Sequence, residues 1–320
     1  MKEDILKKMP GVQRGVLLED YTTYKIGGPA KYFFVAKNKK ELISALEFAK
    51  KNKFPVFILG GGSNLLVSDK GFKGLVIQVR ISNFEFQVSK NVFVGAGMGL
   101  TKLAYACAEK GLSGLEWAAG IPSATIGGAI YGHAQAFGIK ISDTIKEVTT
   151  INLKTLEIKK FLRKQCQFSL KNSIFKKTKK FVIISAVLKL KEKNTKEVKK
   201  SIKEFLDYRK NGHPMKFSSA GSTFVNPEAK IKNKKLLIKF PELVVYNKKG
   251  IIPAGFLIAK CGLAGRKIGS AQISEKHANF ILNLGGAKAK DILALIKLAK
   301  KEVKKKFNIN METEVQLIGF

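Results

Sequence analysis

The sequence predicts an α+β chain built from more than one domain, and three observations carry that expectation. Its 320 residues exceed what a single hydrophobic core usually serves. Apolar residues make up 45% of the chain and glycines number 29, so a large core can form although 26% of residues are charged. Segments of strand period and of helix period alternate without an internal repeat.

The first strand signal is KYFFVA from residue 31. It is followed by KKELISALEFAKKN, with Leu42, Ile43, Leu46 and Ala49 at helical spacing, and then by PVFILG, a βαβ-like opening. LVIQV and VFVGAGM follow as short strands and TKLAYACAEKG as a helix; a glycine-rich segment then begins another helix. Residues 145–191 are strand-rich, in EVTTINL, LEIKKFL and FVIISAVLKLK. NTKEVKKSIKEFLDYRKNG, ending at Gly212, reads as an exposed connecting helix, which places a boundary near 195–212. Beyond it come a Gly/Ser turn region, a short helix IPAGFLIAKCG and a strand around ANFILNL. The long helix DILALIKLAKKEVKKKF and a closing strand EVQLIG complete a second α+β portion.

Lys and Arg total 59 against 24 Asp and Glu, a formal charge of +35. A balance this basic ordinarily points to nucleic acid or an acidic membrane surface. Only Arg14, Arg80, Arg163, Arg209 and Arg266 are arginine, whereas sites that grip phosphate by forked contact favour that residue. RNA-binding motifs with paired aromatics are missing, so a nucleic-acid reading rests on charge alone. Cys107, Cys166 and Cys261 form no CxxC pair and leave one over in any disulfide count, which fits a reducing compartment. The start, MKEDILKKMPG, carries acids where a signal peptide needs its apolar core, so the expected location is the cytoplasm. Trp117 to Ile139 lacks Asp, Glu, Lys and Arg over a membrane-spanning length, but its five glycines, Pro122 and polar residues make it a poor span; it reads as buried backbone.

The strongest chemical signal is PVFILGGGSNLLVSD. A buried strand runs into Gly60, Gly61, Gly62, Ser63 and Asn64, where glycines let the backbone approach a ligand and exposed amides can cradle phosphate oxygens. The bland alternative is a tight turn. The dinucleotide fingerprint fails, because Leu65 and, in GAGMGL, Leu100 stand where its last glycine belongs, and a P-loop lysine is missing. GIPSATIGGAIYGHAQAFG offers a helix start after Ile121-Pro122, where backbone amides favour an anion. Ser222 in SSAGSTFVNP lacks the G-x-S-x-G nucleophile spacing and is open to a role as proton donor or to a purely structural one. Glu314 enters the last strand beside Glu312, a position more often solvated than functional. His133, His213 and His277 share no metal-ligand spacing, and no metal site is expected. The residues alone thus reach a phosphate-bearing ligand held by glycine loops.

Seven segments in order go further: TTYKIGGPAKYF at 22–33, ILGGGSNLLVS at 58–68, GLEWAAGIPSATIGGAI at 114–130, FSLKNSIFK at 168–176, SAGSTFVNP at 219–227, IGSAQISEKHANFILN at 268–283 and ETEVQLIG at 312–319. Together they resemble the UDP-N-acetylenolpyruvoylglucosamine reductase (MurB) family of flavoenzymes, nearly end to end. The resemblance implies a fold similar to the vanillyl-alcohol-oxidase (PCMH-like) flavoproteins: FAD-binding subdomains at 1–82 and 83–195, a connecting helix at 196–212, and a smaller substrate-binding domain at 213–320. It implies FAD as cofactor, NADPH as electron donor, and reduction of a UDP-sugar enolpyruvyl ether in peptidoglycan synthesis. A monomer with small-molecule partners, and neither nucleic acid nor membrane, is expected.

The roles carried over are these. Ser222 protonates the substrate carbon next to the one that receives the hydride, and Glu314 helps stabilise the enol-like intermediate. FAD contacts fall on Gly60, Gly61, Gly62, Ser63 and Asn64 and on Gly120, Ile121, Pro122, Ser123, Thr125, Gly127 and Gly128, while Asn226 matches a substrate-side residue. Where most members have Tyr-Arg, this chain has Leu170-Lys171, so Lys171 takes the place of a catalytic arginine; lysine keeps the charge and gives up the planar fork. The usual Gly-Thr-Val after Ile-Pro is Ser123-Ala124-Thr125-Ile126, and the usual Met-Asn-Ala-Gly-Ala-Tyr is Gly132-His133-Ala134-Gln135-Ala136-Phe137. A homologue that keeps the fold with lapsed or altered activity is the alternative these departures raise.

Overall fold

A computed structural model describes residues 9–320 of the chain. The charged start on which the location was read, residues 1–8, lies outside the described residues. In chain order the main elements are β1 (Gln13–Leu17), β2 (Pro29–Ala36), α1 (Lys39–Lys51), β3 (Val56–Leu59), β4 (Leu65–Val67), β5 (Phe72–Val79), β6 (Phe84–Gln87) and β7 (Asn91–Gly95). There follow α2 (Leu100–Glu109), α3 (Ile126–Gly132), β8 (Ile145–Asn152), β9 (Ile158–Leu162), α4 (Ile174–Thr178), β10 (Phe181–Lys189) and α5 (Thr195–Gly212). The chain closes with α6 (Lys234–Lys239), α7 (Glu242–Lys249), α8 (Ala254–Lys260), β11 (Lys267–Ile268), β12 (Ala271–Ile273), β13 (Ile281–Asn283), α9 (Ala289–Phe307) and β14 (Gln316–Ile318). The architecture is α+β. Its residues group into two units that do not follow chain order: residues 9–17, Pro29–Gly62 and Phe72–Arg209 form the first, and Leu18–Gly28, Ser63–Gly71 and Lys210–Phe320 the second.

The first unit holds two sheets. One has the order β1-β2-β5-β3, with β5 lying parallel between β2 and β3. This is the βαβ opening, and the strand from residue 72 explains it: Leu75 to Val79 is buried throughout, as a central parallel strand must be. Helix α1 covers the sheet because Leu42, Ala45, Leu46 and Ala49 share one face. It starts where the Asn38 side chain accepts the Glu41 amide at 2.9 Å, while the Glu41 carboxylate accepts the Lys37 amide at 2.7 Å. The second sheet is antiparallel throughout, in the order β9-β8-β10-β7-β6, with pairs such as Val148↔Ala186 and Leu188↔Val92 turned inward. Side chains of both sheets join one apolar core around the fully buried Trp117.

Helix α5 is less exposed than its lysine-rich sequence suggests. Val198 and Ile202 bury against Ala108 and Ala119 of the first unit. Farther along, the Arg209 guanidinium donates to the carbonyls of Trp117 at 2.9 Å and Ala119 at 3.2 Å, its plane lying over the Phe137 ring. Burial holds this guanidinium below its ordinary value.

The second unit packs α9 through Ile292, Leu295, Ile296, Ala299, Val303 and Phe307 onto a three-stranded sheet, β11-β12-β13. The Asp69 carboxylate starts this helix by accepting the amides of Ala289 at 2.9 Å and Lys290 at 3.3 Å. The closing strand β14 lies parallel to β4, with Leu317 opposite Leu66. Among the described residues no helix is long and apolar enough to cross a membrane.

Arg209→Ala strips two buried carbonyls of their donor and should cost about 2 kcal/mol of stability. Urea unfolding checks this: a lowered midpoint at unchanged slope is expected.

Candidate active site

In the first unit, two of the expected ligand segments meet backbone to backbone. A Cβ built on Gly61 would lie 1.4 Å from the Ser123 carbonyl oxygen, and one on Gly60 would lie 2.7 Å from the Thr125 hydroxyl. The glycines at 60 and 61 are therefore required by the approach of the 123–125 loop itself. That loop turns at Ser123, which takes a left-handed φ of 53°. Helix α3 consequently starts four residues beyond Pro122, later than the expected start. Thr125 is its cap, and the Thr125 hydroxyl accepts the Gly128 amide at 3.3 Å.

The second glycine-rich candidate, GAGMGL, has a different use. The Gly127 amide donates to the Ala96 carbonyl at 2.8 Å and the Leu100 amide to the Ala124 carbonyl at 2.8 Å, so this turn clamps the loop from behind. Upstream, the Thr101 hydroxyl is shared between the Ala118 and Ile121 carbonyls, holding the chain through Gly120.

The same helix α3 reaches the segment that carries Lys171. Residues Ser169 to Asn172 form a closed turn, with reciprocal amide-to-carbonyl bonds of 3.0 and 3.1 Å, and Lys171 sits in it at φ 51°. Lys176 donates to the Lys171 carbonyl at 2.9 Å. Ser173, fully buried, starts α4 and donates its hydroxyl to the Tyr131 carbonyl of α3 at 2.7 Å. Gly60, Gly61, Gly62, the 120–128 loop and Lys171 thus belong to one packed assembly.

In the second unit, Ser222 and Glu314 come together through the residue between them in space, Thr223. The Glu314 amide donates to the Thr223 carbonyl at 2.8 Å, and the Thr223 amide to the Asn279 carbonyl at 2.7 Å. The Asn279 side chain accepts the Phe224 amide and donates to the Phe224 carbonyl, both at 2.9 Å, which fixes the SAGS segment from the other side. The Asn64 carboxamide donates to the Glu314 carbonyl at 3.2 Å, so this side chain braces the acid's backbone. Behind Ser222, burial pushes the Tyr24 phenol above its ordinary range; the Thr223 hydroxyl beside it partly offsets this without closing to good hydrogen-bond geometry. Asn226, farther along, uses its side-chain oxygen to accept the Ala254 amide at 2.9 Å, at the start of α8.

Two of the three histidines also meet. His213 and His277 lie with ring centroids 5.8 Å apart, both against Phe280, the cross-strand partner of Ser222. Among the described residues no group of three His, Cys, Asp or Glu side chains could hold a metal.

The model of the FAD binding domain family matches residues 30–158, and that of the C-terminal domain of UDP-N-acetylenolpyruvoylglucosamine reductase matches residues 213–318. The reductase of Carboxydothermus hydrogenoformans is 37% identical over all of this chain and 98% of its own length; that of Bacillus subtilis is 37% identical over 94% of this chain and 92% of its own. The chain is a member of the UDP-N-acetylenolpyruvoylglucosamine reductase family. The crystal structure of the MurB reductase from Thermus caldophilus superposes with a TM-score of 0.76 at 32% identity, covering 96% of this chain and 98% of that one.

The residues present fit the FAD of a MurB reductase. Among the described residues, no backbone carbonyl takes an amide between Gly60 and Asn64, which leaves successive donors for a diphosphate. Reasoning from sequence did not single out Asn279 and Thr223, and it met His133 only as a lone histidine and as a departure from the family pattern. HANF follows a turn and gives no periodic signal, and Thr223 was overshadowed by its neighbour Ser222.

Gly61→Ala forces a side chain into a backbone oxygen and should cost about 3 kcal/mol or more, with loss of flavin. Gly132→Ala, in α3 with nothing within 4 Å, should be neutral or stabilising by about 0.5 kcal/mol. Thermal melts and the flavin-to-protein absorbance ratio of the two variants check the contrast.

Proposed function

We propose that this chain reduces UDP-N-acetylenolpyruvoylglucosamine to UDP-N-acetylmuramate with NADPH as donor, and that Ser222, Glu314 and Lys171 divide the work at the reacting group. The observation that carries the reading is the Glu314 amide bound to the Thr223 carbonyl, which sets the acid one residue from the serine despite their distance in sequence. FAD, when bound, supplies the two-electron carrier that accepts a hydride from NADPH and passes it to the terminal carbon of the enolpyruvyl group.

The chain's own residues do the rest. Gly60 to Gly62 and the loop from Gly120 to Gly128, with Ile121, Pro122, Ser123, Thr125 and Gly127, hold the cofactor, and Ser63 and Asn64 continue the first run. As the hydride arrives, negative charge moves into the substrate carboxylate, where a cation lowers the barrier because the charge is greatest there. Lys171 supplies that cation from its rigid turn. Ser222 donates its hydroxyl proton to the adjacent carbon and regains one from water, and Glu314 stabilises the enol-like intermediate. Asn226 contacts the substrate through its amide group, the oxygen being used on Ala254. The protein acts as a monomer in the cytoplasm; its cysteines, all free thiols with Cys107 and Cys166 buried, are consistent with a reducing compartment.

Ser222→Ala should leave flavin reduction by NADPH intact and lower reoxidation by substrate by about 10²- to 10⁴-fold. Stopped-flow measurement of the two half-reactions separates them, and loss of both would point to misfolding. Lys171→Arg restores bidentate geometry and should raise turnover; an unchanged or lower rate counts against the carboxylate role. A lapsed homologue, the reading that Lys171 in place of arginine raises, requires that NADPH oxidation show no dependence on the enolpyruvyl substrate.

A further inference from the structure

His133 is the buried end of α3, 4% exposed, and it touches the turn that carries Lys171. Its ring stacks on Phe168, centroids 4.9 Å apart and planes 28° from parallel. Nδ1 is hydrogen-bonded to the Ser169 carbonyl, and Nε2 lies 2.9 Å from the Ser142 hydroxyl. A carbonyl can only accept, so Nδ1 carries the hydrogen; in the neutral ring Nε2 then accepts from Ser142. Ser169 is the first residue of the closed turn that ends at Asn172, so this bond grips the turn at its base.

We infer that His133 is a positioning residue: its neutral imidazole ties helix α3, which follows directly on the cofactor loop, to the turn that presents Lys171, and so fixes where the lysine's charge sits. The inference rests on the carboxylate role given to Lys171 above. Two bonds reach the Lys171 segment from α3, one from His133 to Ser169 and one from Ser173 to Tyr131, on either side of the lysine. With both ends held and the backbone at Lys171 in a left-handed turn, the lysine's Cα has little freedom. A compact cation without a planar fork depends on such placement, because it makes no second parallel bond to correct an error in position.

The charges around the ring support a neutral state. Burial holds it below the ordinary imidazole value; the Ser169 carbonyl works against this, Lys140 works with it, Asp143 against and Lys171 with it. Asp143 is itself paired with Arg163 at 3.6 Å, and Lys176 is engaged on the Lys171 carbonyl. The sign follows: an unfolded histidine takes its proton near pH 6.5 and the folded one lower. The stability due to the neutral ring is present above about pH 6.5 and is lost as pH falls through the folded value. Protonation there also turns Nε2 into a donor and adds a cation beside Lys171.

The test uses full-length, flavin-loaded protein with His133→Phe, which keeps a ring against Phe168 and removes both hydrogen bonds, and His133→Asn. Asparagine tolerates the left-handed φ of 48° and can donate to Ser169. Each is made with Lys171 intact and with Lys171→Ala. Flavin content and reduction by NADPH should be unchanged in His133→Phe, showing an intact fold, while reoxidation by the enolpyruvyl substrate falls at least about tenfold. In the Lys171→Ala background His133→Phe should cause no further loss; with Lys171 intact, His133→Asn should recover most of the rate and abolish the decline that the wild-type rate shows as pH falls through the folded histidine's value, which lies below the ordinary imidazole value. An undiminished rate in His133→Phe while Lys171→Ala is impaired overturns the inference alone, as does an equal loss in both backgrounds or an acid limb that persists in His133→Asn. Turnover that survives Lys171→Ala overturns the role of Lys171 and this inference with it.

Discussion

The approach of two backbones at Gly61 and Ser123 is the constraint on which the first unit depends. Any side chain at 61 would occupy the position of a carbonyl oxygen. Among the described residues the amides from Gly60 to Asn64 donate to no backbone carbonyl, which leaves them for an anion. The loop cannot be moved alone. The GAGMG turn holds it from behind, Thr101 holds it upstream, and α3 continues from it directly to His133 and the turn of Lys171. A shift of a few tenths of an ångström at the 123–125 loop would therefore be felt at the turn of Lys171, through a short helix.

The second unit reaches the same kind of order with one side chain. The Asn279 carboxamide satisfies both backbone groups of Phe224, while the backbone carbonyl of Asn279 takes the Thr223 amide. Thr223 in turn accepts the Glu314 amide. A buried amide that makes all its bonds costs little and specifies one arrangement, whereas the same group unpaired would cost a few kcal/mol. Ser222 is fixed through its neighbours in this network, and the role proposed for it relies on that placement.

Much of the fold was legible because it rests on periodicity. The spacing of Leu42, Leu46 and Ala49, the buried run after Gly74 and the apolar face of α9 each specify an element by themselves. Strands β1 and β6 were not legible: QRGVL and FEFQ are short edge strands, the first mostly solvated and the second only half-buried through Phe84 and Phe86, and their pairing partners supply the order. The start of α3 was misplaced because Pro122 is a good first helical residue in general, while here the left-handed turn at Ser123 delays the helix to the Thr125 cap. The site was legible as motifs and not as geometry. Glycines 60 to 62 announce close approach without naming the partner, and neither Ser222 nor Glu314 carries a local sign of the other. The high positive charge was the loudest feature of the sequence and the least informative, since among the candidate site residues only Lys171 carries it.

The most direct measurement is the visible spectrum of the purified protein, followed without oxygen as NADPH and then UDP-N-acetylenolpyruvoylglucosamine are added. Bound flavin should show its absorbance bands, bleach with NADPH, and recover on addition of the enolpyruvyl substrate with formation of UDP-N-acetylmuramate. A colourless protein, or bands that bleach and are not restored by that substrate, would contradict the assignment.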